Sequence, residues 1–360
     1  MSGPQDEYTF GVNGDGKSSI AAPQTRQFWL GRLDVIDELK IEGNAAFAIV
    51  MDKRPLDSRV AKSPQLVTFD AILPAAMAVR AEESGVKRIS TDPLTLFVLS
   101  ILAGAFIAFG AVFATTVSAG TMVIAPASDG AVVYSAALPY GIVRLLMGVV
   151  FSLGLILVVV GGAELFTGNN LIVMAWASGK VKTRDLLFNW AMAFAGNFVG
   201  AFMTAVLMFY TTQYTFGGGS VGLVALTTAN AKSSLAFIPA VGLGIMCNAL
   251  VCLAVWMCYS ARTTIDRVVT IVPPIAAFVA AGFEHSIANV YFIPIGLFIK
   301  LGAPSAFWAS IGKTAADFPA LTWANFFIGN LLPVTVGNII GGSIMVAAVY
   351  WFIYLRKTNS

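Results

Sequence analysis

Six stretches of this chain are long and almost free of charge, roughly residues 93–118, 141–176, 185–210, 235–259, 268–299 and 324–354. A helix needs about 20 apolar residues to cross a hydrocarbon core, so each stretch is long enough to span a bilayer. Hydrophobic residues make up 57% of the chain and charged residues 11%, too few of the latter to clothe a water-soluble surface. The expectation is an all-α membrane protein. Basic residues near short loops stay in the cytoplasm. Lys87 and Arg88, then Lys180, Lys182 and Arg184, then Arg262 and Arg267, then Arg356 and Lys357 all fall on one side of an even number of spans. The opposite side has fewer: Lys232, Lys300, Lys313 and, at a helix start, Arg144. Both termini are therefore expected in the cytoplasm, with the chain multi-pass in the cell's inner (plasma) membrane. The opening "MSGPQDEYTF" lacks a basic region leading into an apolar one, so no cleavable secretory signal is expected and internal spans direct insertion.

Two of the six stretches are too long for one crossing and are interrupted. The second runs into "GGAELFTGNN" (161–170), the fifth passes Pro273 and Pro274 and meets "GFEHSIAN" (282–289). An unpaired N–H or C=O in lipid costs several kcal/mol, so irregular backbone at membrane depth must be buried in protein or line a watery path. The breaks repeat: Glu164 precedes Asn169 by the same spacing as Glu284 precedes Asn289, and "GNFVG" (196–200) in the third span is matched by "GNIIG" (337–341) in the sixth. With three spans per half, the second copy enters the membrane from the opposite side. This predicts inverted three-helix repeats, broken at the second and fifth helices, with a substrate site where the breaks meet. The glycines of the two GNxxG motifs are read as close-packing positions. Glu164, Glu284, Asn169 and Asn289 are expected to support the breaks, the acids by accepting from exposed backbone N–H groups.

His285, the one histidine in the chain, sits inside the second break. An intramembrane ionisable residue marks a functional site by default. Cys247, Cys252 and Cys258 lie in one apolar run without a CxxC pair, so neither a disulfide nor a metal site is expected, and no cofactor. One histidine cannot supply bis-histidine haem ligation or a two-histidine metal site, so enzyme chemistry is not expected. A formal net charge of +3 gives nucleic-acid binding no support.

"GGAELFTGNN", "CNALVCLAVWM" (247–257), "GFEHSIANVYFIPIG" (282–296) and "PVTVGNIIGG" (333–342) together resemble the formate/nitrite transporter family, its formate-channel branch most of all. The resemblance covers about residues 69–356. It implies a six-helix protomer of aquaporin-like course, assembled as a homopentamer in the lipid bilayer, each protomer carrying a pore for formate or a similar small monovalent anion. It places the family's central histidine on His285 and its threonine partner on Thr167. Apolar constrictions fall on Phe151, Leu155, Phe166 and Phe278, the anion-attracting lysine on Lys232 and its polar companion on Asn248. Phe151 and Leu155 are four apart, hence on one helix face. Without the family, Thr167 reads equally well as a helix cap, and Lys232 reads better as a snorkelling side chain at a helix end.

A bare anion cannot pass a phenylalanine-lined constriction without losing hydration. His285 is expected to donate a hydrogen bond or a proton to it, with the Thr167 hydroxyl as a second donor. Nitrite or hydrosulfide are the alternatives within the family. A water or glycerol channel shares the inverted plan, but its Asn-Pro-Ala signature is absent: Asn170 and Val290 follow the two asparagines. The expected organisation is a cytoplasmic, partly disordered extension (1–68), a pre-membrane amphipathic helix (69–92), the six-helix domain (93–356) and a tail (357–360). Within the extension, "FWLGRLDVIDELKI" (28–41) reads as an amphipathic helix with Trp29, Leu33 and Ile36 on one side.

Overall fold

The computed structural model describes residues 71–120 and 138–356, and the backbone of short strands between 9 and 50 and between 122 and 136. The chain forms two compact units, Met1–Phe69 and Asp70–Ser360. In the first, β1 (Thr9–Val12), β2 (Ser18–Ala21) and β3 (Phe28–Leu30) make an antiparallel sheet, and β4 (Ile36–Glu42) pairs with β5 (Ala45–Val50). The amphipathic helix expected over 28–41 is therefore absent at both its ends. Aromatic and β-branched residues there favour extended backbone, and cross-strand pairing satisfies the backbone groups a helix would have paired internally. Residues 31–35, the disorder expected within 1–68 and the tail 357–360 lie outside the described residues.

The second unit opens with α1 (Pro74–Ile89), the expected pre-membrane helix. The first span, α2 (Pro93–Ala119), starts where the Asp92 side chain accepts from Thr95 N–H and Pro93 supplies a preset φ at a position needing no donor. A hairpin of β6 (Met122–Pro126) and β7 (Val132–Ala136) leads to α3 (Tyr140–Gly161). After the first break come α4 (Phe166–Asn169), a 3-10 turn (Asn170–Ile172) and α5 (Val173–Ala177), then the third span, α6 (Thr183–Tyr210). A helix not foreseen from the sequence, α7 (Ser220–Ser233), precedes the fourth span, α8 (Phe237–Cys258). The fifth is α9 (Thr264–Ala281), a break, and α10 (Ser286–Gly302), which bends by 113° into α11 (Ser305–Ile311). The sixth, Asn325–Tyr354, alternates π-helical turns with α12 (Leu332–Ile339) and α13 (Val349–Tyr354).

The two halves assemble alike, α2–α6 in one and α8 to the sixth span in the other. Gly200 sets α6 so close to α2 that an added Cβ would lie 1.9 Å from Ile101 O, and Gly341 sets the sixth span against α8 with 2.1 Å to Ile245 O. Close packing is thus what the GNxxG glycines do.

Candidate functional site

Both breaks are built from the same parts. α3 and α9 each end on a glycine in the left-handed region, Gly162 at φ 75° and Gly282 at φ 79°, which lets the chain turn without a Cβ clash. The next backbone donors then find partners. Glu164 N–H donates to Leu99 O at 3.3 Å, and Glu284 N–H to Leu243 O at 3.2 Å. Phe166 N–H, at the start of α4, donates to Asn197 Oδ1 at 2.8 Å, while Asn197 Nδ2 donates to Ser100 O and Glu164 O. Ser286 N–H, at the start of α10, donates to Asn338 Oδ1 at 2.9 Å, and Asn338 Nδ2 to Gly244 O and Glu284 O. The asparagines of the GNxxG motifs thus hold the breaks, a role the sequence reading gave to the acids.

The carboxylates instead bind side chains. Glu164 Oε2 accepts from Arg88 at 3.1 Å and from Asn169 Nδ2 at 2.9 Å, and Arg88 also bonds Asn169 Oδ1. Glu284 Oε1 accepts from Lys232 at 2.7 Å, its Oε2 from Asn289 at 2.6 Å. Asn169 Nδ2 reaches on to Asn189, and Asn289 Nδ2 to Asn330. Arg88, Asn189, Asn197, Asn330 and Asn338 were not singled out from the sequence. For the four asparagines the signal was available, since a polar amide within an apolar span must find a partner; Arg88 stands on α1, ahead of the spans.

The repeats differ in two positions that matter. Counting from the paired glutamates, His285 matches Leu165, and Thr167 matches Ile287. His285 is the N-cap of α10, its Nδ1 accepting from Ala288 N–H at 3.1 Å. That bond requires a lone pair on Nδ1, so the hydrogen-bond network assigns the neutral ring's hydrogen to Nε2. Nε2 lies 3.1 Å from Thr167 Oγ1. The two residues meet across the halves as expected, and Thr167 does not cap α4, whose N-cap is Leu165.

Two cavities approach this pair. One, of about 460 Å³, is lined by Tyr140, Arg144, Lys232, Phe151, Phe278 and His285 among others; the second, of about 400 Å³, by Arg88, Glu164, Arg267, Leu155 and Leu165 among others. Between them lies a void of about 10 Å³ walled by Phe151, Phe278, Leu155, Leu165, Ile275 and His285. That is about one water's worth of space, so apolar side chains close both slits. Phe151 and Phe278, edge to face with centroids 5.7 Å apart, bar the Lys232 side, and Leu155 with Leu165 bars the Arg88 side.

Three of the expected pore residues, Thr167, Phe166 and Asn248, line neither cavity nor the void between them, and Thr167 meets that void only through His285. Phe166 packs edge to face on Phe194 and Trp190 of α6 and lines neither cavity; its place is taken by Leu165, one residue earlier. Asn248, fully buried, lines neither cavity either and donates to Thr167 O, Asn170 Oδ1 and Asn338 O, bracing the backbone behind the pair.

A sequence model described as Formate/nitrite transporter matches residues 75–352. The formate channel FocA of Escherichia coli (strain K12) is 46% identical over 291 residues, covering 81% of this chain and 97% of that protein. Formate channel FocA of Haemophilus influenzae is 37% identical over 300 residues, covering 83% and 100%. Among solved structures, one titled "Pentameric formate channel with formate bound" is similar with a TM-score of 0.66 and 43% identity, covering 73% of this chain and 98% of that one. Another, "FNT family ion channel", has a TM-score of 0.61 at 26% identity, covering 77% and 98%.

Proposed function

The chain belongs to the formate/nitrite transporter family, and from that premise we propose that it forms a homopentamer in the inner (plasma) membrane whose protomers each pass formate along the line of the two cavities. The single observation that carries this reading is the His285–Thr167 pair at 3.1 Å, a polar contact between the halves set beside an apolar closure between two wide mouths. Relatives named as formate channels, and the solved pentamer with formate bound, support formate over nitrite or hydrosulfide. By the distribution of Lys and Arg, both termini and the Arg88 cavity face the cytoplasm and the Lys232 cavity faces outward. Residues 1–68 form a cytoplasmic extension of the channel.

A formate ion leaving either cavity loses water as it enters the slit, and the Nε2–H of His285 replaces part of that shell. The Thr167 hydroxyl, released from the ring as the anion arrives, donates a second bond. Passage requires the Phe151–Phe278 and Leu155–Leu165 pairs to part, because the space between them has room for about one water. The geometry favours hydrogen-bond donation over proton donation. To give up a proton and remain neutral, the ring must first gain one at Nδ1, which breaks the Ala288 cap. Purified protein in liposomes tests the reading: formate flux is expected from the parent and a loss of at least tenfold from His285→Ala. Equal flux from the two would remove His285 from the mechanism.

A further inference from the structure

Resting on the anion-channel reading above, we infer that Arg144 and Arg267, one at each mouth, are the residues that draw anions into the pore, and that Lys232 and Arg88 are positioning residues for the breaks. In each cavity one cation is already committed. Lys232 Nζ sits 2.7 Å from Glu284 Oε1 and over the Phe292 ring, and Arg88 is held by Glu164 and Asn169. Each such pair presents little net charge to an approaching anion, and its strong bonds fix an acid that in turn holds Asn169 or Asn289 beside the break.

Arg144 is different. It stands on the first turns of α3, half-buried in the cavity wall, with Nε donating to Ala280 O at 3.2 Å and Nη2 to Val279 O. Those acceptors are neutral backbone carbonyls, and among the described residues no carboxylate pairs with it. The charged side chains lining its cavity are Arg144, Lys232 and Glu284, so once Lys232 and Glu284 cancel, Arg144 carries the surplus. Arg267 repeats the plan on the first turn of α9, the helix that matches α3. The charged side chains lining its cavity are Lys87, Arg88, Glu164 and Arg267, and no carboxylate among the described residues pairs with Arg267. A fixed positive charge in a low-dielectric mouth raises the local anion concentration, and salt on that side screens it.

The test uses single channels of the full-length pentamer in a planar bilayer of known orientation, with formate as the permeant ion and ionic strength varied on one side at a time, osmotically balanced. Arg144→Gln is expected to lower conductance about two- to fivefold at about 10 mM salt and to abolish its dependence on salt at the Lys232 mouth, the dependence at the other mouth persisting. Arg267→Gln is expected to lower conductance and weaken the salt dependence at the Arg88 mouth without abolishing it, because Lys87 also lines that cavity. Arg144→Lys keeps the charge and restores the salt dependence even if the lost carbonyl bonds lower conductance throughout. Lys232→Gln is expected to reduce conductance by one factor at every ionic strength. If the salt response of Arg144→Gln equals that of the parent, or if Lys232→Gln is the variant that loses it, the assignment is overturned while the channel reading stands. A parent that passes no formate overturns both.

Discussion

Replacing Asn338 by Ala removes the side chain that closes the second break. Asn338 is fully buried, and two backbone groups have it as their partner: Ser286 N–H at 2.9 Å and Glu284 C=O at 2.9 Å. Gly244 O, its third partner, lies inside α8 and keeps its helical bond. A buried backbone group left without a partner costs about 1–3 kcal/mol, so two give about 2–6 kcal/mol. Interhelical hydrogen bonds measured in bilayers are weaker, about 0.6 kcal/mol on average, because the separated helices find other partners. That escape is closed here, since Ser286 and Glu284 flank a turn where no helix supplies a substitute. A water entering the vacated space recovers part of the loss, which favours the lower half of the range. At about 2 °C per kcal/mol, the purified variant in detergent should melt about 4–8 °C below the parent, and Asn197→Ala should behave alike. Gln213→Ala, whose amide bonds Thr116 at the surface, serves as the control and should shift by about 1 °C or less. Formate flux of Asn338→Ala should fall as well, because His285 adjoins the loosened turn. A melting temperature within 1 °C of the parent, with flux intact, would refute the account of how the breaks are held.

Thr167→Val keeps the shape and removes the hydroxyl facing His285, so formate flux should drop about two- to tenfold, the worth of one net hydrogen bond, while the melting temperature stays within a few degrees. Leu165→Ala should widen the slit on the Arg88 side and admit acetate in liposome assays, whereas Phe166→Ala, opening a gap against Phe194 and Trp190, should destabilise by about 3 kcal/mol and leave anion selection unchanged; the reverse pattern would restore Phe166 to the pore. Outside the spans, the Asp92 carboxyl is held below its ordinary value, first by the Thr95 hydroxyl and then by Thr95 N–H. Its stabilisation of α2 is therefore present above the unfolded carboxylate pKa of about 4 and lost as pH falls through the lower folded value. The parent should melt above Asp92→Ala at pH 7, and the gap should narrow towards pH 3.

The spans, the breaks and the place of His285 were legible because each leaves a local mark: a long apolar run, glycine and acid within it, a lone titratable ring; its pairing with Thr167 came only through the family resemblance. Partners were harder. Asn197 and Asn338 stood inside motifs already accounted for by their glycines, and the groups they bind lie on other helices, so nothing within a short window announces the contact. α7 escaped because its 14 residues are too few for a crossing and carry threonine, asparagine and lysine along with the apolar ones. Phe166 was one residue from the slit, and at a chain reversal that small offset sends the side chain to α6 while Leu165 faces the passage. The 28–41 segment shows the opposite failure, where a plausible helical spacing was overridden by pairing with neighbouring strands.

Leu165 and His285 occupy matching places in the two repeats, as do Thr167 and Ile287. A scaffold with nearly twofold architecture therefore holds a polar couple that has no twin. Whatever enters from one end is met by a gate of two flat rings with the imidazole just behind, and from the other by a gate of two branched aliphatics. A plugging molecule shaped to stack on aromatics should thus obstruct from one face of the membrane only, although the helices framing both entrances are copies of each other.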